Sequence, residues 1–172
     1  MDYLQEQGRL VPGSRRDLLG NRLVLVAPHQ SAQPIDGFDD PALFAQLGQG
    51  KMAMALVEAV PAGIYGKSAL EALGLWQDLA QHVAQTDNVR AALALVASGA
   101  APLGVVYASD AQADPRVTVL VEFPVKSHTP IRYPMAQIQG AGGGAVEAFF
   151  DYLQGQEARE TFVSAGFSMV AE

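Results

Sequence analysis

The sequence predicts an α/β fold built on a mostly parallel sheet. Three observations lead there. Short apolar runs alternate with helical patterns along the chain. One run, Gly104–Tyr107, carries no polar residue before its closing tyrosine, as expected of a strand covered on both faces. The stretch from Val60 to Tyr107 then sets two helix starts and that strand in tandem.

Taken in order, residues 1–20 carry a short helical pattern, with Pro12-Gly13-Ser14 before a second turn at Arg15–Leu19. Asn21–Ala27 (N-R-L-V-L-V-A) is a strand ended by Pro28, and residues 28–41 form a loop holding three prolines. Pro41–Leu47 is a short helix stopped by Gly48 and Gly50, and Lys51–Val57 a buried strand. The first long helix spans about Ala62 to Leu73, with Gly74 as its C-terminal cap. Leu75–Ala84 is mixed, with Trp76 and Leu79 expected inside. A second helix runs from Val89 to Ala97 and stops at Ser98-Gly99. After Gly104–Tyr107 come a turn-rich connection at Asp110–Arg116, a strand at Val117–Phe123 and a last strand at Arg132–Gln139. Ala141–Gly144 is a hinge into helices Ala145–Gln154 and Gln156–Ser164, whose apolar residues Val146, Phe149, Leu153 and Ala158, Phe162 keep helical spacing.

At 172 residues and 49 % apolar, the chain is large enough for one domain, or one lobe and part of another. A formal charge of −7 argues against nucleic acid and anionic membrane surfaces as partners. It does not exclude an anionic ligand held by oriented backbone N–H groups, because distant surface charges are screened within about 10 Å at ~0.1 M salt. Without cysteine there are no disulfides, thiolate catalysis or cysteine metal sites. No apolar run is long enough to predict a transmembrane helix. The first residues, M-D-Y-L-Q-E-Q-G-R, lack the basic and apolar regions of a secretory signal.

The two helix starts carry the chemistry. Pro61 suits the first helical position, where its missing N–H would be unpaired anyway. Thr86, Asp87 or Asn88 can cap the helix that opens at Val89. Each start leaves free N–H groups at the positive end of a helix dipole, and two starts facing each other make an anion site of neutral donors. Tyr107 can add a hydroxyl. The plainer reading is two well-capped helices and a tyrosine at a strand end.

V-P-A-G-I-Y-G-K, D-N-V-R-A-A-L-A-L-V, A-P-L-G-V-V-Y-A-S-D-A and the closing F-F-D-Y-L-Q-G-Q-E-A…F-V-S-A-G-F resemble the periplasmic molybdate-binding protein of molybdate ABC transporters. The similarity covers nearly the whole chain. It implies an α/β, type II periplasmic-binding-protein-like fold, with one complete lobe plus the C-terminal part of the other. Residues 1–20 would connect the lobes, 21–130 form the second, ligand-binding lobe, and 131–172 return to the first. The family's signal peptide and N-terminal segment lie ahead of where this sequence starts, so a truncated form is expected.

By the same resemblance Ala62 and Val89 offer backbone N–H groups, and Tyr107 its hydroxyl, to molybdate or tungstate. Two serines from the absent segment would complete five contacting residues. The intact protein would be periplasmic, would close its lobes on the anion, and would deliver it to a membrane permease. The resemblance implies no cofactor, no catalytic residue and no directly bound metal. Where relatives carry a glycine-aspartate-proline turn, this chain has Ala55-Leu56-Val57-Glu58, and Glu58 is expected to point outward. Alternative readings are an anion-sensing effector domain of a regulator, or a folded fragment without useful binding. The apolar faces of the last two helices, lacking their cover, predict self-association.

Other patterns are weaker. Gly140-Ala141-Gly142-Gly143-Gly144-Ala145 fits G-x-G-x-x-A, but Glu157 and Glu160 lie within a helix rather than at a strand end, so a hinge is the better reading. His29, His82 and His128 lack partners at metal spacing, and Ser109-Asp110 has no histidine nearby for a nucleophilic triad. Lys67 and Arg90, in the first turns of the two helices, can lend positive potential or be solvated surface. The sequence describes a binder, not an enzyme.

Overall fold

The computed structural model describes residues 1–170. In chain order the elements are α1 (Asp2–Glu6), β1 (Arg16–Asn21), β2 (Leu23–Pro28), α2 (Ala42–Leu47), β3 (Met52–Ala55), α3 (Pro61–Ala72) and α4 (Trp76–Leu79). After a 3-10 turn, Ala80–His82, come β4 (Val83–Thr86), α5 (Val89–Ala97), β5 (Leu103–Tyr107), α6 (Ala108–Ala113) and β6 (Val117–Glu122). The chain ends with β7 (Ile131–Met135), α7 (Gly144–Tyr152), α8 (Gln156–Ser164) and β8 (Ser168–Met169). Two compact units divide it: Arg22–Pro130, and Met1–Asn21 with the segment from Ile131 onward.

The Arg22–Pro130 unit is a five-stranded sheet in the order β4-β3-β5-β2-β6. β4, β3 and β5 run parallel, whereas β2 is antiparallel to both β5 and β6. The sheet is therefore mixed, where the sequence predicted a mostly parallel one. Alternate residues of each strand feed opposite faces. Val24, Val26, Ala53 and Val106 pack with Ala92, Leu93 and Val96 of α5 and with Ala108 and Ala111 of α6. On the other face, Met54 and Val105 meet α3 so closely at Gly66 that a β-carbon there would stand 2.6 Å from Met54 Cε. Helices on both faces explain why Leu23, Leu25, Met52, Met54, Leu103 and Val105 are all buried.

The other unit holds a three-stranded antiparallel sheet, β7-β1-β8. Here the sequence reading needs correction, because Arg15–Leu19 is not a helical turn but largely strand β1. Its partners lie far along the chain: Leu19 pairs with Tyr133 on one side and Met169 on the other. Gly20 is held between them, and a β-carbon there would meet Ser168 Oγ at 2.7 Å. Further elements escaped the sequence reading, among them α4, β8, β4 and α6. β4, V-A-Q-T, is an edge strand without an apolar run, and α6 occupies part of a connection read as turn. β7 stops at Met135, short of the expected Gln139. The remaining helices lie within a few residues of their expected bounds.

Candidate functional site

β3 is where the chain changes direction across the sheet. From it α3 leads to β4 on one side, and α5 then carries the chain past β3 to β5 on the other. Ligands of open α/β sheets bind at such a switch point, outside the carboxyl ends of the parallel strands. Ala62, Val89 and Tyr107 follow or occupy the carboxyl ends of β3, β4 and β5, three neighbouring parallel strands.

The register of β3 and β4 sets the two helix starts side by side. Ala55 is paired with Thr86, and the ladder is extended by Leu56 N–H donating to the Thr86 carbonyl at 2.9 Å. The Thr86 hydroxyl lies 3.2 Å from the Met54 carbonyl and 2.9 Å from that of Asn88, and its single proton bridges the two strand exits. Val57 N–H donates to Gln85 Oε1 at 2.9 Å. Gln85 and Thr86 were missed as supports of the site because β4 was not foreseen.

At α3, Val60 is extended and Pro61 takes the first helical position, as the sequence predicted. The first helical bond is Ile64 N–H to the Val60 carbonyl, so the N–H groups of Ala62 and Gly63 precede the ladder. Ala62 is only 2 % exposed, and among the described residues its N–H has no acceptor. A buried donor in that condition requires a water or a ligand to complete it. At α5 the cap is Asn88 rather than Thr86 or Asp87: its Oδ1 accepts the Ala91 N–H at 2.9 Å. That cap leaves the Val89 N–H without an acceptor among the described residues. Tyr107, half-buried, ends β5 and stands at the N-cap of α6.

Charges surround the helix starts but are largely committed. Glu58 points outward and pairs with Lys67 Nζ at 2.5 Å, a bond that raises the Lys67 pKa; Lys67 also lies 5.7 Å from the Trp76 ring centroid. Arg90 is exposed in the first turn of α5, and its field reaches Asp110. Asp110 has a raised pKa, first because it is desolvated, against a lowering hydrogen bond from the Tyr107 backbone and the attraction of Arg90. His29 Nδ1 contacts Thr118 Oγ1 at 2.9 Å, and the His128 ring lies 5.8 Å from that of Tyr65. Among the described residues no group of three or more His, Cys, Asp or Glu is placed to hold a metal ion. The Gly140–Gly144 segment follows an antiparallel strand, so the parallel βαβ setting of a dinucleotide site is missing around it.

The fold and the cluster of helix starts define a protein of the solute-binding class. Residues 1–168 match the family of bacterial extracellular solute-binding proteins, and the chain belongs to it. It is 43 % identical over 170 residues to the molybdate-binding protein ModA of Escherichia coli, covering 98 % of this chain and 66 % of that one. The molybdate-binding protein ModA of Haemophilus influenzae is 34 % identical over 168 residues, with the same coverage of 98 % and 66 %. The chain thus spans about two thirds of the length of these curated relatives, 66 % in each case. A solved substrate-binding domain from Clostridium difficile superposes with a TM-score of 0.84 at 29 % identity, over 99 % of this chain and 73 % of that one. The periplasmic molybdate-binding protein of Azotobacter vinelandii shares the fold, with a TM-score of 0.77 at 24 % identity, over 99 % of this chain and 74 % of that one. These relatives are solute-binding proteins rather than enzymes, in agreement with the sequence reading. No helix among the described residues is long and apolar enough to cross a membrane.

Proposed function

We propose that this chain carries half of an oxyanion site for molybdate, and for tungstate as a tetrahedral dianion of like charge. The intact protein would be the periplasmic solute-binding component of an ABC importer, delivering its ligand to a membrane permease. The observation that carries this reading is the buried, acceptor-less N–H of Ala62 beside a second open helix start at Val89. A tetrahedral dianion offers only acceptor oxygens, so neutral donors at two helix N-termini suit it. Tyr107 supplies the third donor in the proposal. The Arg22–Pro130 unit would be the complete ligand-binding lobe, and the other unit the C-terminal part of its partner lobe. The names of the two ModA relatives support molybdate as the ligand.

The test is a calorimetric titration with molybdate, tungstate and sulfate, run beside ¹⁵N spectra of the same samples. Molybdate and tungstate are expected to bind and to shift the amides of Ala62 and Val89, with sulfate weaker. Saturable binding that leaves both amides unmoved would overturn the site, and the absence of any saturable molybdate binding would overturn the function of this chain.

Self-association belongs to the same proposal. Phe149, Val163 and Tyr152 on the last two helices are 61 %, 53 % and 46 % exposed. A second copy of this chain is the proposed cover, read by sedimentation equilibrium; a monomer across the accessible concentration range would refute it.

A further inference from the structure

Asp110 is the third residue of α6, whose N-cap position is Tyr107. From that position an acidic side chain can reach back to the N–H of the cap residue, the reciprocal half of a capping box. The strand geometry explains why that N–H needs it. Ala108 N–H donates to the Arg22 carbonyl at 2.9 Å, which makes Tyr107 and its opposite number Leu23 a non-hydrogen-bonded pair. The Tyr107 N–H therefore turns away from β2, toward the side of β3, beyond the last β3–β5 pair at Ala53 and Gly104. The Asp110 carboxylate accepts it.

We propose that Asp110 is a positioning residue, fixing through this bond the bend of backbone from which the Tyr107 ring is presented to the anion. The proposal rests on the reading of Tyr107 as a ligand donor. The second carboxylate oxygen, Oδ2, is buried and has no hydrogen-bond partner. A lone buried carboxylate oxygen is costly, and an alanine at 110 would remove that cost. Arg90, in the first turn of α5, lies within electrostatic reach of the same carboxyl and partly offsets its burial. Asp110 thereby links the helix start that presents Val89 with the strand end that presents Tyr107. In the sequence Asp110 stands out only as part of a serine-aspartate pair without a histidine nearby. Its role depends on α6, which was not foreseen.

The experiment begins with the unaltered chain, in which a scalar coupling across the hydrogen bond between the Tyr107 amide nitrogen and Asp110 Cγ is expected. Amide exchange at Tyr107 and the ring shifts of Tyr107 are then compared in Asp110→Asn, which keeps an acceptor, and Asp110→Ala, which does not. Asparagine should retain the protection of the Tyr107 amide. Alanine should lose about tenfold or more of it and move the ring shifts, the equivalent of one hydrogen bond. With molybdate as the probe, alanine should weaken binding about tenfold, and adding Tyr107→Phe should cost little more, since the hydroxyl is already misplaced. No coupling in the unaltered chain, or unchanged Tyr107 exchange and ring shifts in Asp110→Ala, would overturn the proposal. If the unaltered chain does not bind molybdate, the function proposed above fails, while the coupling and exchange data still decide the role of Asp110.

Discussion

Gly63 approaches Ala55 so closely that a β-carbon on it would stand 2.3 Å from the Ala55 carbonyl oxygen. The Leu56 carbonyl oxygen would be at 2.4 Å. Both obstacles are backbone at the end of β3, so neither can swing aside as a side chain could. This contact seats the first turn of α3 on the strand exit and fixes where the Ala62 N–H points. Gly63→Ala must push the helix start away from β3. Overpacking of this kind costs about 1–3 kcal/mol. The expected outcome is a lowered urea midpoint together with weakened molybdate binding. Unchanged stability and affinity would show that the helix start can shift freely.

Asn88 separates capping from charge. Asn88→Ala removes the bond to the Ala91 N–H and should cost about 1 kcal/mol, with faster amide exchange in the first turn of α5. Asn88→Asp keeps a capping oxygen but sets a negative charge beside the proposed anion site. It should hold stability at or above that of the unaltered chain while reducing molybdate affinity. If alanine and aspartate reduce affinity equally, the effect runs through the cap and not through charge.

A site of neutral donors also has a characteristic salt response. The chain carries a formal charge of −7, so added salt screens repulsion of the anion rather than attraction to it. Molybdate affinity should stay level or rise modestly between about 0.05 and 0.5 M sodium chloride. A steep fall would mean that Arg90 or Lys67 holds the ligand.

Two aspartates should titrate on opposite sides of the ordinary carboxylate range. Asp114 is lowered to about 2, chiefly by the side-chain hydrogen bond from Arg116, whereas burial raises Asp110. The Asp114 contribution to stability is therefore present above the unfolded value of 3.8 and is lost as pH falls through about 2. For Asp110 the sign reverses. Its folded form binds the proton more tightly, so stability declines as pH rises from 3.8 through its raised pKa. Carbonyl-detected titration of the two side chains reads both midpoints, and Asp114→Asn should remove only the acid-side component.

How far the sequence could be read depended on where each element finds its partners. α5 and α8 were legible to the residue because their apolar spacing and helix stops are local. α3 was legible within one residue, since Pro61 and Gly74 mark its ends and Gly74 adopts the positive φ such a cap needs. β1 was misread because its six residues, R-D-L-L-G-N, carry no strong strand pattern of their own. Strand preference is mostly a preference for a pleated, half-buried surface, and here that surface is supplied by β7 and β8.

The resemblance to the molybdate-binding family, and not any local pattern, proposed Ala62, Val89 and Tyr107 as donors. The sequence by itself determined the α/β class, the two helix starts and the absence of cysteine chemistry. Each rests on residues adjacent in the chain, where capping, proline placement and apolar runs act directly. Only the tertiary structure decided that β2 runs against the other four strands of its sheet, that β4 exists, and that α6 follows Tyr107. The pairing of Ala55 with Thr86, the closeness of Gly63 to Ala55 and the unpartnered oxygen of Asp110 were likewise beyond the sequence. Strand direction, close backbone approach and buried polar partnership are relations between distant residues. They are fixed when the chain packs, and no local pattern encodes them.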